Sequence, residues 1–290
     1  MARPPRIEFP GAAYHVSSRC EPGTLAFADD QDRAVLVELI AQSMQRFDAQ
    51  LLAYSLLGDQ YEILVFTRRA NLSRLMRHLG GVYTQHHNRR HGSQGALFHG
   101  RFRAVLVDRE RHLLDACRYV ELAPLRQGLC RSPAQWPWSS FAAHTGSVPT
   151  PVWLESDGLW RYVLGRELHG LADRRRAMQA YARLLASDPG FDLWAGRLRQ
   201  QIFLGDEAFA RACLAQATRA EGLARPTRAG KLGRALSLQD WLLQSDSREQ
   251  ALYRAHTEGG LAMSAMARAM DLSVSRVSRI VASYERKQGV

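Results

Sequence analysis

Apolar residues in the first half of the chain recur at two periods, and the switches between them mark out the elements. Ala13–Ser18 reads as a short strand. From Asp29 to Phe47 the apolar residues Ala34, Leu36, Val37, Leu39, Ile40, Met44 and Phe47 fall at helical spacing, with Asp29 and Asp30 placed to cap the helix. Gln50–Leu57 and Gln60–Thr67 are two apolar strands about a Gly58-Asp59 turn. Asn71–His91 is a second long helix ended by Gly92, and Phe102–Val107 is another strand. Arg109–Leu122 is a third helix, stopped before Pro124 because the residue preceding a proline is pushed out of the helical region. The order β-α-β-β-α-β-α predicts an α+β domain, a ferredoxin-like antiparallel sheet with helices on one face.

The pattern then changes character. Residues 132–158 are rich in Pro, Ser, Trp and Gly and form the first boundary. From Trp160 to about Ala220 the sequence reads as helical throughout, in pieces broken at Asp188-Pro189-Gly190 and Gly205-Asp206. Gly222–Gly233 is basic and contains Pro and Gly, as a linker does, with Arg225, Arg228, Lys231 and Arg234 able to track phosphates. Three parts follow: an α+β domain over 1–146, an all-α extension over 150–222 and a terminal domain over 226–290. In the last part Met263–Ala269 is a short helix with Met266 and Ala267 inward, and Met270-Asp271-Leu272 is a tight turn. Ser273 can cap a second helix with Val277, Ile280 and Val281 on its inner face and Ser275, Arg276, Ser278 and Arg279 on its outer one. This is the pattern of a helix-turn-helix, whose second helix can present Arg and Ser to base edges and phosphates.

Charge strengthens that reading. The 290 residues carry 39 Lys+Arg against 28 Asp+Glu, a net +11, and Lys231 and Lys287 are the only lysines. Arginine is the better fork for phosphate and guanine. The four cysteines, Cys20, Cys117, Cys130 and Cys213, are scattered, which argues against a cysteine zinc site or a disulfide framework and for a reducing compartment. MARPPRIEFPG has no apolar h-region, and no run approaches the roughly 18 apolar residues of a membrane span. The expectation is a cytoplasmic protein with DNA as partner and no membrane association.

Several stretches together resemble the REP-associated tyrosine transposases, a group of the HUH-type single-strand transposases. They are RPPRIEFPGAAYHVSSR (3–19), FADDQDR (27–33), NLSRLMRHLGGVYTQHHNRRHG (71–92), LFHGRFRAVLVD (97–108), RYVELAPLRQGL (118–129) and WPWSSF (136–141). The resemblance covers about half the chain, in order. It implies a strand with His-hydrophobic-His holding a divalent metal, a helical tyrosine that attacks a DNA phosphate, a third ligand one turn beyond it, and a homodimer. At the matching positions stand Gln60-Tyr61-Glu62 in place of His-x-His and Ala123 in place of the third ligand, while the tyrosine remains as Tyr119. All three ligand positions are degenerate, so Tyr119 reads as a vestigial nucleophile and no metal or other cofactor is expected. Mg²⁺ on Gln60 and Glu62 belongs to an alternative, an active enzyme that cleaves and rejoins hairpin DNA through Tyr119. His15, His86, His87, His91 and His99 are scattered and do not rebuild the motif.

The DNA-holding equipment remains: Arg68, Arg69, Arg74, Arg77, Arg89, Arg90, Arg101 and Arg103, interleaved with Tyr83, His86, His87 and Phe102 as stacking on unpaired bases would need. The sequence thus points to a domesticated, catalytically impaired transposase relative that binds DNA as a homodimeric transcriptional regulator. A structural or adaptor protein is the alternative from a different class.

Overall fold

Residues 7–188, 190–194, 198–224, 237–257, 261 and 263–287 are described by a computed structural model. They divide between two units, Met1–Pro226 and Thr227–Val290. In the first unit β1 (Ala12–Arg19), β2 (Ala49–Leu56), β3 (Gln60–Thr67) and β4 (Arg103–Val107) alternate with α1 (Asp30–Arg46) and α2 (Leu72–His91). The sheet runs β2-β3-β1-β4, antiparallel throughout, which is the ferredoxin-like order. Its register sets His15 opposite Leu64 and Ser17 opposite Glu62.

Both crossover helices start and stop where local chemistry dictates. Asp29 caps α1 by accepting from the N–H groups of Gln31 and Asp32 at 3.0 and 3.2 Å. Gly92 ends α2 at φ 64°, a left-handed conformation that glycine adopts without steric cost. Leu36, Ile40 and Met44 of α1 and Leu72, Leu75, Met76, Leu79 and Tyr83 of α2 pack on Tyr14, Val16, Tyr61, Ile63 and Val65 of the sheet. Each such side chain contributes roughly 1.5–3 kcal/mol when fully buried.

The helices do not keep to one face, which corrects the expectation from sequence. Leu113, Ala116, Cys117 and Val120 of α3 (Arg109–Glu121) recur at i, i+3, i+4 and i+7 and cover Ala13, Leu64, Val105 and Val107 on the opposite side. The cue is in β3, where Ile63, Leu64 and Val65 are consecutive and all buried; an unbroken apolar run belongs to a strand covered on both faces. Past α3 the chain makes another helical turn, α4 (Ala123–Arg126), with Pro124 in its first turn, where a missing N–H costs nothing.

The segment after the Trp-rich stretch belongs to the same unit. It holds α5 (Phe141–His144), α6 (Asp157–Leu164), α7 (Leu171–Ser187), β5 (Leu198–Arg199), β6 (Phe203–Leu204) and α8 (Glu207–Ala224). It is therefore not helical throughout: β6 pairs in parallel with β4, and β5 and β6 extend the sheet to six strands. The turn between β5 and β6 places Gln200 and Gln201 at φ 48° and 65°. Turns with two positive φ angles ordinarily use Asn or Gly, so Gln-Gln carries no turn signal and the hairpin is invisible in the sequence. A buried network ties this segment down. Glu121, fully buried, accepts from Ser140 Oγ (2.5 Å) and the Tyr181 hydroxyl (2.9 Å) and pairs with His144 Nδ1 (2.5 Å). Helix α8 runs to Ala224, while residues 225–236, with Arg225, Arg228, Lys231 and Arg234, lie outside the described residues.

The second unit contains α9 (Leu238–Leu243), α10 (Arg248–Thr257), α11 (Met263–Ala269) and α12 (Val274–Lys287) around Leu238, Trp241, Leu252, Ala255, Met266, Ala267, Val277 and Val281. Among the described residues no helix is long and apolar enough to cross a membrane.

Candidate functional site

The positions that the resemblance marks as catalytic do converge, on the sheet face covered by α3. Gln60 and Glu62 both project from β3, and the Gln60 amide donates to Glu62 Oε1 at 3.3 Å. Neighbouring β1 brings His15 Nε2 to 3.2 Å from Glu62 Oε2, and Arg126, in α4, brings Nη2 to 3.7 Å from the same oxygen. His15 and Glu62 are both buried, at 4% and 6% exposure. The Arg126 guanidinium lies 3.6 Å from the centre of the Tyr119 ring and also donates to the Tyr119 carbonyl. Trp194 packs edge-on against Tyr119 and His15, at ring separations of 5.0 and 5.2 Å, and Arg103 sits 5.8 Å above the Trp194 ring. Ala123 is buried and presents only a methyl group.

The donors present do not fit a divalent ion at this place. Ala123 offers no ligand atom. Gln60 and Glu62 stand where the resemblance expects two imidazoles, and the Arg126 guanidinium adds positive charge 3.7 Å from Glu62 Oε2. Residue type alone did not reveal His15, Arg126 or Trp194 as members of this cluster, since they lie 47, 64 and 132 positions from Glu62 (62 − 15, 126 − 62 and 194 − 62).

The arginines selected from the sequence divide into two groups. Arg90 is locked to Asp29 and Asp32, each at 2.5 Å, and Arg68 and Arg69 pair with Asp48 at 3.1 and 3.4 Å. Hydrogen bonding to Arg90 holds the Asp29 carboxyl well below the usual carboxylate range. By contrast Arg74, Arg77 and Arg89 are exposed along one stripe of α2, at spacings that continue through Gly81 and Gln85, and Arg101, just before β4, and Arg103, its first residue, are exposed as well. Tyr83 and His87 do not interleave with them for base stacking. Tyr83 is fully buried with its hydroxyl donating to the Ala26 carbonyl at 2.6 Å, and burial pushes its pKa well up; His87 is 7% exposed.

In the second unit the α11–α12 connection is tight. Asp271 takes φ 51°, and the Leu272 N–H reaches back to the Ala267 carbonyl at 2.9 Å. Ser273 Oγ then accepts from the Arg276 N–H at 3.2 Å, capping α12. Met266, Ala267, Val277 and Val281 are buried, whereas Ser275, Arg276, Ser278 and Arg279 are all exposed. Arg279 Nε rests on the Ser275 carbonyl of its own helix at 3.2 Å. Arg276, Arg279, Ile280, Ser283 and Tyr284 line an open cavity of about 610 Å³ with Ser247 and Glu249.

No protein-family model matches the chain, and none of the curated proteins does. Among solved structures the chain is similar to a REP-associated tyrosine transposase bound to a REP hairpin, at 13% sequence identity and a TM-score of 0.45, over 55% of this chain and 93% of the other.

Proposed function

We propose that this chain is a sequence-specific DNA-binding protein, a domesticated and catalytically impaired tyrosine-transposase relative that acts as a homodimeric transcriptional regulator at the nucleoid. The observation that carries the reading is α11–turn–α12, a helix-turn-helix whose second helix buries Val277 and Val281 and leaves Ser275, Arg276, Ser278 and Arg279 outward. A net charge of +11 supplies the sequence-independent attraction to phosphate. Impairment is supported by the cluster around Glu62. A phenol is a weak nucleophile at neutral pH and phosphoryl transfer needs charge withdrawn from the phosphate, yet Tyr119 lies between Arg126 and Trp194 beside a carboxylate already paired.

The test is genome-wide footprinting followed by equilibrium titration on one recovered site. Arg276→Ala and Arg279→Ala are each expected to cost on the order of 1–3 kcal/mol where they make bidentate base contacts, and to relax preference at the contacted position. Unchanged affinity of the folded double variant would remove α12 as the reading helix.

A further inference from the structure

Away from the Glu62 cluster, the start of α1 meets the end of α2. Asp32, in the first turn of α1, is fully buried, and His87 and His91 lie one turn apart on the same face of α2. One donor atom from each of the three falls within 4.8 Å of the others. The His91 Nε2 atom is 3.1 and 3.0 Å from the two Asp32 oxygens, and the two imidazoles face each other at a centroid separation of 4.4 Å. His87 is 7% exposed, and its Nδ1 is buried without a hydrogen-bond partner. Such an orphaned atom in a buried polar cluster calls for something to satisfy it.

We propose that Asp32, His87 and His91 form a site for one divalent transition-metal ion of the zinc type, a site the sequence does not announce because its ligands come from two helices. A tetrahedral ion bound at about 2.0–2.2 Å holds its donors roughly 3.3 Å apart. The Asp32–His91 separation already has that length. His87 supplies the third donor, within 4.8 Å of the other two. Arg90 competes for Asp32 Oδ1 but also grips Asp29 through both nitrogens, so it keeps a carboxylate partner when Asp32 turns to the metal. Two imidazoles and a carboxylate favour Zn²⁺, Co²⁺ or Ni²⁺ over Mg²⁺ or Ca²⁺. Three protein ligands leave the fourth position to water or an outside group.

The experiment uses the full chain after chelator treatment. Zn²⁺ is titrated by calorimetry, and Co²⁺ by the visible absorption that a tetrahedral site intensifies. One saturable equivalent of Zn²⁺ is expected, with no binding of Mg²⁺ at the same concentrations. His91→Gln, at an exposed position that leaves the core intact, and His87→Phe are each expected to weaken Zn²⁺ at least about tenfold. His99→Gln, outside the cluster, serves as the control that keeps wild-type affinity. Circular dichroism confirms that each variant is folded. Absence of a saturable equivalent, or wild-type affinity in either His91→Gln or His87→Phe, overturns the proposal.

Discussion

Around Glu62 the charged and aromatic side chains pack on one another: Arg126 lies on Tyr119, Trp194 on Tyr119 and His15, and Arg103 on Trp194. On the outer face of α12, Arg276 and Arg279 have no acidic partner among the described residues, and both line an open cavity. The same residue type thus does opposite things in the two regions. An arginine stacked on a ring and set against a carboxylate has exchanged its hydration for protein contacts, and a phosphate would have to displace them. An exposed arginine on a rigid helix keeps its fork free for a ligand, and fixed backbone geometry lets it aim. Residue type alone therefore does not distinguish a binding arginine from a structural one; its partners do.

The largest expected effect tests how firmly the first region is held. Helix α3, which carries Tyr119, is anchored through Glu121 to Ser140, His144 and Tyr181, all three fully buried. Burial, aided by the nearby Glu121 charge, pushes the Tyr181 phenol well above its ordinary pKa, so it remains a donor to the carboxylate. Glu121→Ala strands three polar groups at once, and loss of one partner from a buried charged network costs about 3–5 kcal/mol. Urea denaturation should show a loss of that size in the first unit. A change under about 1 kcal/mol would mean that the Glu121 network adds little to the hold of α5 and α7 on α3.

A smaller effect probes the cluster itself. Arg126→Ala removes a cation–π contact, worth about 0.5–1 kcal/mol at a partly exposed site, together with a long ion pair to Glu62. It should lower stability by about 1 kcal/mol and leave DNA chemistry unchanged. Neither the parent chain nor the variant, given Mg²⁺ or Mn²⁺, is expected to form a covalent adduct with single-stranded hairpin DNA. An adduct that disappears in Tyr119→Phe would show that the cluster is still a reaction centre and would collapse the contrast between the regions.

What the sequence made legible follows the range of the interactions. The βαββαβ order, the caps at Asp29 and Ser273 and the α11–α12 turn depend on residues within a few positions of one another, and periodicity reports them. Gln60, Glu62 and Tyr119 are placed through the resemblance; strand alternation puts Gln60 and Glu62 on one face, and Arg126 and His15 link Glu62 to Tyr119. Contacts formed across the chain left no local trace. Trp194 closes the Tyr119 cluster from a segment that reads as plain helix, and β5 and β6 join the sheet through a Gln-Gln turn. The arginine stripe was legible only in part, because the acids that neutralise Arg68, Arg69 and Arg90 sit 20, 21 and 58–61 positions earlier (68 − 48, 69 − 48, 90 − 32 and 90 − 29).

The finest test of the contrast lies within α2, where both kinds of arginine stand on one helix. Arg74, Arg77 and Arg89 point outward with no ion pair recorded among the described residues, while Arg90, next to Arg89 in sequence, is clamped by Asp29 and Asp32. If partners decide role, adjacent arginines should fail differently when removed. Arg74→Ala, Arg77→Ala and Arg89→Ala should leave the melting temperature unchanged, because exposed substitutions without partners seldom shift stability by more than about 0.5 kcal/mol. Each that touches a phosphate should reduce the slope of log affinity against log salt by about one unit, across all DNA sequences alike. Arg90→Ala should instead lower the melting temperature, since it exposes two paired acids at the start of α1, and should leave the salt slope where it was. The measurement is a DNA titration of the full chain at several salt concentrations, beside a thermal melt of each variant. An Arg90→Ala protein that melts normally yet loses salt dependence would place Arg90 on the DNA. Its ion pairs with Asp29 and Asp32 would then be a resting arrangement that nucleic acid replaces.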